Sequence, residues 1–203
     1  MLGAFIQGIS VDGRTYSGGW YDWLTPFSIL TGLALIAGYA LLGATWLTMK
    51  TEGELQAASR KIARPLLWIV VGAVALVSLW TPLLNDVIAA RWFSWPNMAY
   101  LSPVPLLVTL VTVGIDRALK TRREKTPFIL SLFLFVLSYL GLGISLFPLI
   151  VPPRIDIWQA AAPDESLGFL LIGTSFLLPL ILGYTVYVYW VFRGKTETGA
   201  GYH

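Results

Sequence analysis

The chain has 203 residues, 56% of them hydrophobic and 12% charged, with no cysteine and a mean hydropathy of +0.71. Such a composition would precipitate if its apolar surface faced water, which excludes a water-solvated globule, a disordered chain and a disulfide scaffold. The net charge of +3 and pI near 9.2 match a nucleic-acid binder's balance, but the basic residues lie in short gaps beside apolar segments, where anionic membrane lipid is the fitting partner and nucleic acid is not.

Met1 to Gly8 is too short and mixed for a signal peptide, and it leads into a polar, Gly-rich loop with Asp12 and Arg14. Gly18-Gly-Trp-Tyr-Asp-Trp-Leu-Thr-Pro26 reads as a turn into a first apolar stretch, with Pro26 tolerated in the first helical turn, where its missing amide has no intrahelical partner. Apolar stretches then run roughly over 23–49, 65–84, 98–115, 127–151 and 167–192. Each supplies about the ~20 residues that a helix needs to cross ~30 Å of hydrocarbon. Segments such as Leu140 to Val151 and Leu170 to Leu182 are apolar on nearly all sides, which excludes the alternation of a transmembrane strand. The expected fold class is therefore all-α, a polytopic transmembrane bundle of five spans forming one membrane domain over 1–203.

Lys50, Arg60, Lys61 and Arg64 follow span one, Arg117, Lys120, Arg122, Arg123 and Lys125 follow span three, and Arg193 and Lys195 follow span five. Eleven of the fourteen basic residues thus share one side, against Arg14, Arg91 and Arg154 on the other. The positive-inside bias places the carboxyl terminus in the cytoplasm and the amino terminus outside. Trp20, Tyr21 and Trp23, then Trp92, Trp95 and Tyr100, then Tyr187, Tyr189 and Trp190 fall at span ends and read as interfacial anchors.

Pro65 and Pro127 are expected in the first turns of spans two and four, Pro82 at the end of span two, and Pro179 at a kink in span five. Gly32, Gly38 and Gly43 with Ala34 and Ala44 in span one, Ser138, Gly141, Gly143 and Ser145 in span four, and Gly168, Gly173 and Gly183 in span five are small enough to let helices pack closely. The loop 151–166, with its paired prolines, Asp156 and Trp158, reads as a short amphipathic segment at the interface.

The spans carry no acid, Lys, Arg or His; Asp22, Asp86, Asp116 and Glu165 fall at or near span ends as headgroup-level or capping residues. Haem ligation needs His, Met, Cys or Tyr at membrane depth. The single histidine is the terminal His203, Met49 and Met98 sit at span ends, and the phenols of Tyr39, Tyr139 and Tyr184 are expected to bond neighbouring helices. No phosphate-binding glycine loop, HExxH or nucleophile elbow occurs. Catalytic, cofactor-binding and metal-ligating residues are accordingly expected to be none. A secondary transporter would need broken helices and a polar midplane site, and an insertion or lipid-scrambling scaffold a hydrophilic groove with a buried charge, so both rivals fit the charge-free spans poorly.

Longer stretches carry more. Trp23-Leu-Thr-Pro-Phe-Ser-Ile-Leu-Thr-Gly-Leu33 and Gly38-Tyr-Ala-Leu-Leu-Gly-Ala-Thr-Trp-Leu-Thr-Met-Lys-Thr-Glu-Gly-Glu-Leu55 resemble the middle of subunit II of the cytochrome bd quinol oxidases, in wording nearest the cyanide-insensitive branch. Gly143-Ile-Ser-Leu-Phe-Pro-Leu-Ile-Val-Pro-Pro153, Ile157-Trp-Gln-Ala-Ala-Ala-Pro163 and Pro179-Leu-Ile-Leu-Gly-Tyr-Thr-Val-Tyr-Val-Tyr-Trp-Val-Phe-Arg-Gly194 resemble its end. The resemblance implies a carboxyl-terminal five-helix portion that lacks the family's first three helices, with Leu2 to Gly8 resembling the tail of the third. It further implies a complex in a bacterial inner membrane that passes electrons from quinol through haems b558, b595 and d to oxygen. In that complex subunit I holds the haems and the quinol-oxidising loop, this subunit supports it as a pseudo-symmetric partner, and a small single-helix subunit and a bound quinone complete the assembly. The family's proton-path acids lie in the first helices, so no catalytic residue carries over.

Overall fold

The computed structural model describes residues 1–13, 15–84, 86–152 and 155–195. A short helix α1 (Leu2–Gln7) precedes a small antiparallel hairpin of β1 (Val11–Asp12) and β2 (Thr15–Tyr16), in which Val11 pairs with Tyr16. The first long helix, α2 (Pro26–Lys50), starts where Thr25 caps it by accepting the Ser28 amide at 3.1 Å, with Pro26 in its first turn as expected. Then come α3 (Gly53–Leu84), α4 (Asp86–Phe93), α5 (Asn97–Leu101), α6 (Pro103–Lys120) and α7 (Thr126–Leu146). After a second hairpin of β3 (Leu149–Val151) and β4 (Ile155–Asp156), the one-turn α8 (Ile157–Ala160) leads to α9 (Asp164–Val191).

Among the described residues, five segments are long and apolar enough to cross a membrane: Pro26–Lys50, Gly53–Leu84, Asn97–Lys120, Thr126–Leu146 and Asp164–Val191. The five-span helical architecture therefore stands, with two boundary corrections. Span two begins not at Pro65 but twelve residues earlier, at Gly53, so Pro65 lies inside a helix of 32 residues and not in its first turn. The stretch Glu54-Leu-Gln-Ala-Ala58 is polar enough to fall below a hydropathy threshold yet consists of good helix formers. At ~1.5 Å per residue this helix is ~48 Å long, so its amino-terminal turns extend beyond the hydrocarbon. Span four ends at Leu146, and Leu149–Val151 forms a strand paired with Ile155–Asp156. Pro148, which cannot continue the helical bonding pattern, ends the helix although the apolar run continues to Val151. Pro82 falls inside the last turn of α3, and Pro179 lies within the single helix α9.

Four helices share the core. Leu41 and Ala44 of α2, Ala63, Leu67 and Val70 of α3, Ile115 and Leu119 of α6, and Leu134 of α7 form one buried cluster. Span hydroxyls inside this bundle bond within their own helices: Thr45 to the Leu41 carbonyl, Thr48 to Ala44, Thr112 to Val108 and Ser131 to Pro127, all at 2.7–2.9 Å. This satisfies polar groups where no water reaches them. The fifth long helix, α9, buries none of its residues. It meets the bundle at its carboxyl end, where Tyr189 packs edge-on against Trp46 with ring centroids 5.9 Å apart.

Candidate functional site

The polar chemistry of the chain concentrates at the end of the bundle where α2 turns into α3 and α6 turns into α7. Asp116, on the last full turn of α6, is 8% exposed. Its carboxylate accepts from Arg64 Nε on α3 at 2.9 Å and pairs with Lys120 Nζ, one turn ahead on α6, at 2.6 Å. One acid thus neutralises two cations and joins two helices. The second half of the cluster is built around Glu124 in the α6–α7 turn. Its carboxylate accepts from Lys195 Nζ at 2.8 Å and from Gln56 Nε2 at 3.3 Å, and Lys195 also reaches Glu52 at 3.2 Å. Gln56 donates in addition to the carbonyls of Thr48 and Thr51, which the end of α2 leaves without helical partners.

The charges shift one another. The hydrogen bond from Lys195, and after it that from Gln56, holds the Glu124 carboxyl below the usual glutamate range against a smaller effect of desolvation, while the bond to Glu124 holds Lys195 above the usual lysine value against desolvation, with Glu52 adding a lesser push the same way. Lys50 completes the arrangement. Its ammonium donates to the carbonyls of Phe192 at 2.7 Å and Gly194 at 3.1 Å, just where α9 ends, and lies 5.2 Å from the Trp46 ring centroid. A cation at a helix carboxyl end satisfies free carbonyls and the negative pole of the dipole together. Nothing in the sequence alone pairs Arg64 with Asp116, 52 positions apart, or Lys195 with Glu124; only the Asp116–Lys120 spacing of one helical turn is a readable signal.

The opposite end is held differently. The Arg91 guanidinium donates to the carbonyls of Ile144, Ser145 and Phe147 and so caps α7, while Trp92 Nε1 donates to Ser145 Oγ at 2.9 Å. Nearby in the chain's first helices, Thr25 Oγ1 donates to Gln7 Oε1, linking α1 to the cap of α2. Of the aromatic residues read as anchors, Trp20, Tyr21, Trp23, Trp95, Tyr100, Tyr187, Tyr189 and Trp190 are exposed, and Trp92 is partly buried.

Among the described residues no three His, Cys, Asp or Glu converge as a metal site, and His203 lies outside those residues. The donor set does not fit a haem. Tyr39, Tyr139 and Tyr184 are 62–76% exposed. None of their phenols bonds another helix among the described residues, which corrects the expectation that they do; the rings point outward, and Tyr39 lies against the Phe135 ring at 5.9 Å. Met98 is exposed and Met49 half-buried at the carboxyl end of α2. Close packing at small residues is also narrower than expected. A Cβ at Gly38 would come within 2.7 Å of the Phe135 ring and one at Gly141 within 3.7 Å of Val104, whereas Gly32, Gly43, Gly143, Gly168, Gly173 and Gly183 face open space.

The family model for cytochrome bd terminal oxidase subunit II matches residues 1–192. The chain is 25% identical to the cytochrome bd-I ubiquinol oxidase subunit 2 of Escherichia coli (strain K12) over 234 residues, covering 96% of this chain and 60% of that relative. It is 26% identical over 189 residues to the cytochrome bd ubiquinol oxidase subunit 2 of Bacillus subtilis (strain 168), covering 87% and 52%, and 21% identical to a probable cytochrome oxidase subunit 2 of Haemophilus influenzae, covering 97% and 61%. The chain thus spans about 60% or less of the length of these relatives. With the family match running through all five apolar helices, the chain belongs to the cytochrome bd terminal oxidase subunit II family.

Proposed function

We propose that this chain is a non-haem, structural part of subunit II of a cytochrome bd-type quinol:oxygen oxidoreductase in a bacterial inner membrane. The observation that carries the reading is the family match over 1–192. In this reading the chain is one membrane domain packed against a subunit I that holds haems b558, b595 and d and oxidises quinol. The haems accept electrons from quinol and pass them to oxygen when bound in that partner.

What this chain contributes is scaffolding. The four-helix core supplies a stiff body, and the ionic cluster around Asp116 and Glu124 fixes the end that carries most of the basic residues. The charge asymmetry of the sequence supports a cytoplasmic position for that end and an outer one for the amino terminus. The further helices of subunit II, a small single-helix subunit, lipid and quinone are the remaining partners in this reading.

Co-purification tests it. The chain, expressed together with a subunit I and the remaining helices of subunit II and isolated through an affinity tag, is expected to bring down a larger polypeptide together with b- and d-type haem absorbance bands. Isolation without either overturns the reading.

A further inference from the structure

Along an exposed side of α3, Ala58, Lys61, Ile62, Pro65, Leu66 and Ile69 line an open groove of about 530 Å³, with Leu66 at its inner edge packed against the core. Their spacing of three and four residues sets them on one helical stripe, which runs ~16 Å from Ala58 to Ile69. The stripe changes character along its length, with a charge near one end and an aliphatic channel beyond it, in which Ile62 and Ile69 are more than half exposed.

Of the three basic residues in this part of α3, two are turned elsewhere: Arg60 donates to the Arg123 carbonyl and Arg64 to Asp116. Lys61 makes no ion pair or side-chain hydrogen bond among the described residues and is exposed. Pro65, in the same groove, has no amide hydrogen for the carbonyl four residues back, which is that of Lys61. An ammonium and a carbonyl lacking its regular helical bond therefore belong to one residue at the mouth of an apolar channel.

We propose that this groove seats one molecule of an anionic phospholipid with a hydroxyl-bearing headgroup, of the phosphatidylglycerol class. The Lys61 ammonium takes the phosphate, the Lys61 carbonyl accepts a headgroup hydroxyl, and an acyl chain lies along Ile62, Leu66 and Ile69. A zwitterionic choline lipid brings its own cation to the mouth and has no hydroxyl to donate; free phosphate has no chain for the channel.

Native mass spectrometry of the purified full chain with added lipid tests it. One phosphatidylglycerol is expected to bind about fivefold more tightly than phosphatidylcholine, and millimolar inorganic phosphate is not expected to displace it. Lys61→Gln, a change at an exposed position, should abolish the preference, as should Ala58→Trp, which fills the groove without changing charge. Lys125→Gln, a neutralisation elsewhere on the same basic end, should leave it intact. Pro65→Ala, which returns an amide to the Lys61 carbonyl, should remove a roughly threefold preference for phosphatidylglycerol over phosphatidylmethanol, which is anionic but lacks the hydroxyl. Loss of binding in Lys125→Gln equal to that in Lys61→Gln, or full binding in Ala58→Trp, would overturn the seat in favour of diffuse attraction to the basic surface. Equal binding of the two anionic lipids by the unaltered chain would overturn the headgroup assignment.

Discussion

Arg64 Nε and Asp116 Oδ1 lie 2.9 Å apart and bind α3 to α6 at the edge of the apolar core, with the side chain of the acid 12% exposed and that of the arginine 52%. The asymmetry of exposure decides which partner matters more. If Asp116 is lost, both cations rehydrate; if Arg64 is lost, Asp116 keeps Lys120. Asp116→Ala is expected to cost ~1–2 kcal/mol, above an exposed pair and below a fully buried one. At about 2–4 °C per kcal/mol for a chain of this size, thermal unfolding in detergent should move down by roughly 2–8 °C. Arg64→Met should move it by less than half as much. Equal losses from the two substitutions would show that the pair does not work through Asp116.

The Lys195 link between α9 and the α6–α7 turn predicts a pH window. Glu124 has a folded pKa below its ordinary range, so its contribution is present above the unfolded glutamate pKa and is lost as pH falls through the lower folded value. Lys195 has a raised folded pKa, so its contribution is complete below the ordinary lysine pKa and is lost as pH rises through the higher folded value. The latch should therefore be flat through neutral pH and open only in acid or strong alkali. Because the chain has no cysteine, single cysteines at Lys125 and Val191 can carry spin labels without background. Their distance should widen and broaden below the glutamate range, and Lys195→Ala should produce the same change at neutral pH. A distance insensitive to both would mean that Lys50 and the Trp46–Tyr189 contact hold α9 unaided.

Apolar length was enough to read the five helices, because a run that crosses hydrocarbon needs no partner to identify it. Their ends were less legible for two separate reasons. At Gly53–Arg64 a polar helix continues an apolar one, and hydropathy registers only the latter; at Phe147–Val151 an apolar run changes from helix to strand after Pro148, and hydropathy registers no change. The ionic cluster was legible only in part. Asp116 was readable as an acid near a span end, but its bond to Arg64 depends on how α3 packs against α6, which one sequence does not encode at any fixed spacing. The same holds for the glycines: composition marks all of them as able to pack closely, and only the fold tells Gly38 from Gly43.

Orientation has its own test. The eleven-to-three division of basic residues predicts that reporters fused after Lys61 and after Lys120 read cytoplasmic, and that one fused near Asp164 reads external. Reversed readings at two of the three positions would invert the bundle and set the basic cluster outside.

Gly38 and Gly141 separate a position where a methyl group must displace a ring from one where glycine is merely present. A Cβ on Gly38 would lie 2.7 Å from Cζ of Phe135, a ring that α7 holds against α2 and that also contacts Tyr39, so the ring must move. Gly38→Ala should therefore cost ~1–3 kcal/mol from overpacking, against at most ~1 kcal/mol returned by the better helix propensity of alanine. A Cβ on Gly141 would meet Val104 Cγ1 at 3.7 Å, an ordinary contact. Gly141→Ala should be neutral or stabilising by up to ~1 kcal/mol, whereas Gly141→Leu should press α7 away from α6 and lower the melting temperature. The double variant Gly38→Ala with Phe135→Leu tests the cause, because a smaller, flexible side chain leaves room for the new methyl group and should recover part of the loss. Melting temperatures of these variants in one detergent measure all of this. If Gly38→Ala melts with the unaltered chain while Gly141→Ala falls, α2 and α7 do not meet at Phe135, and the close approach lies between α6 and α7 instead.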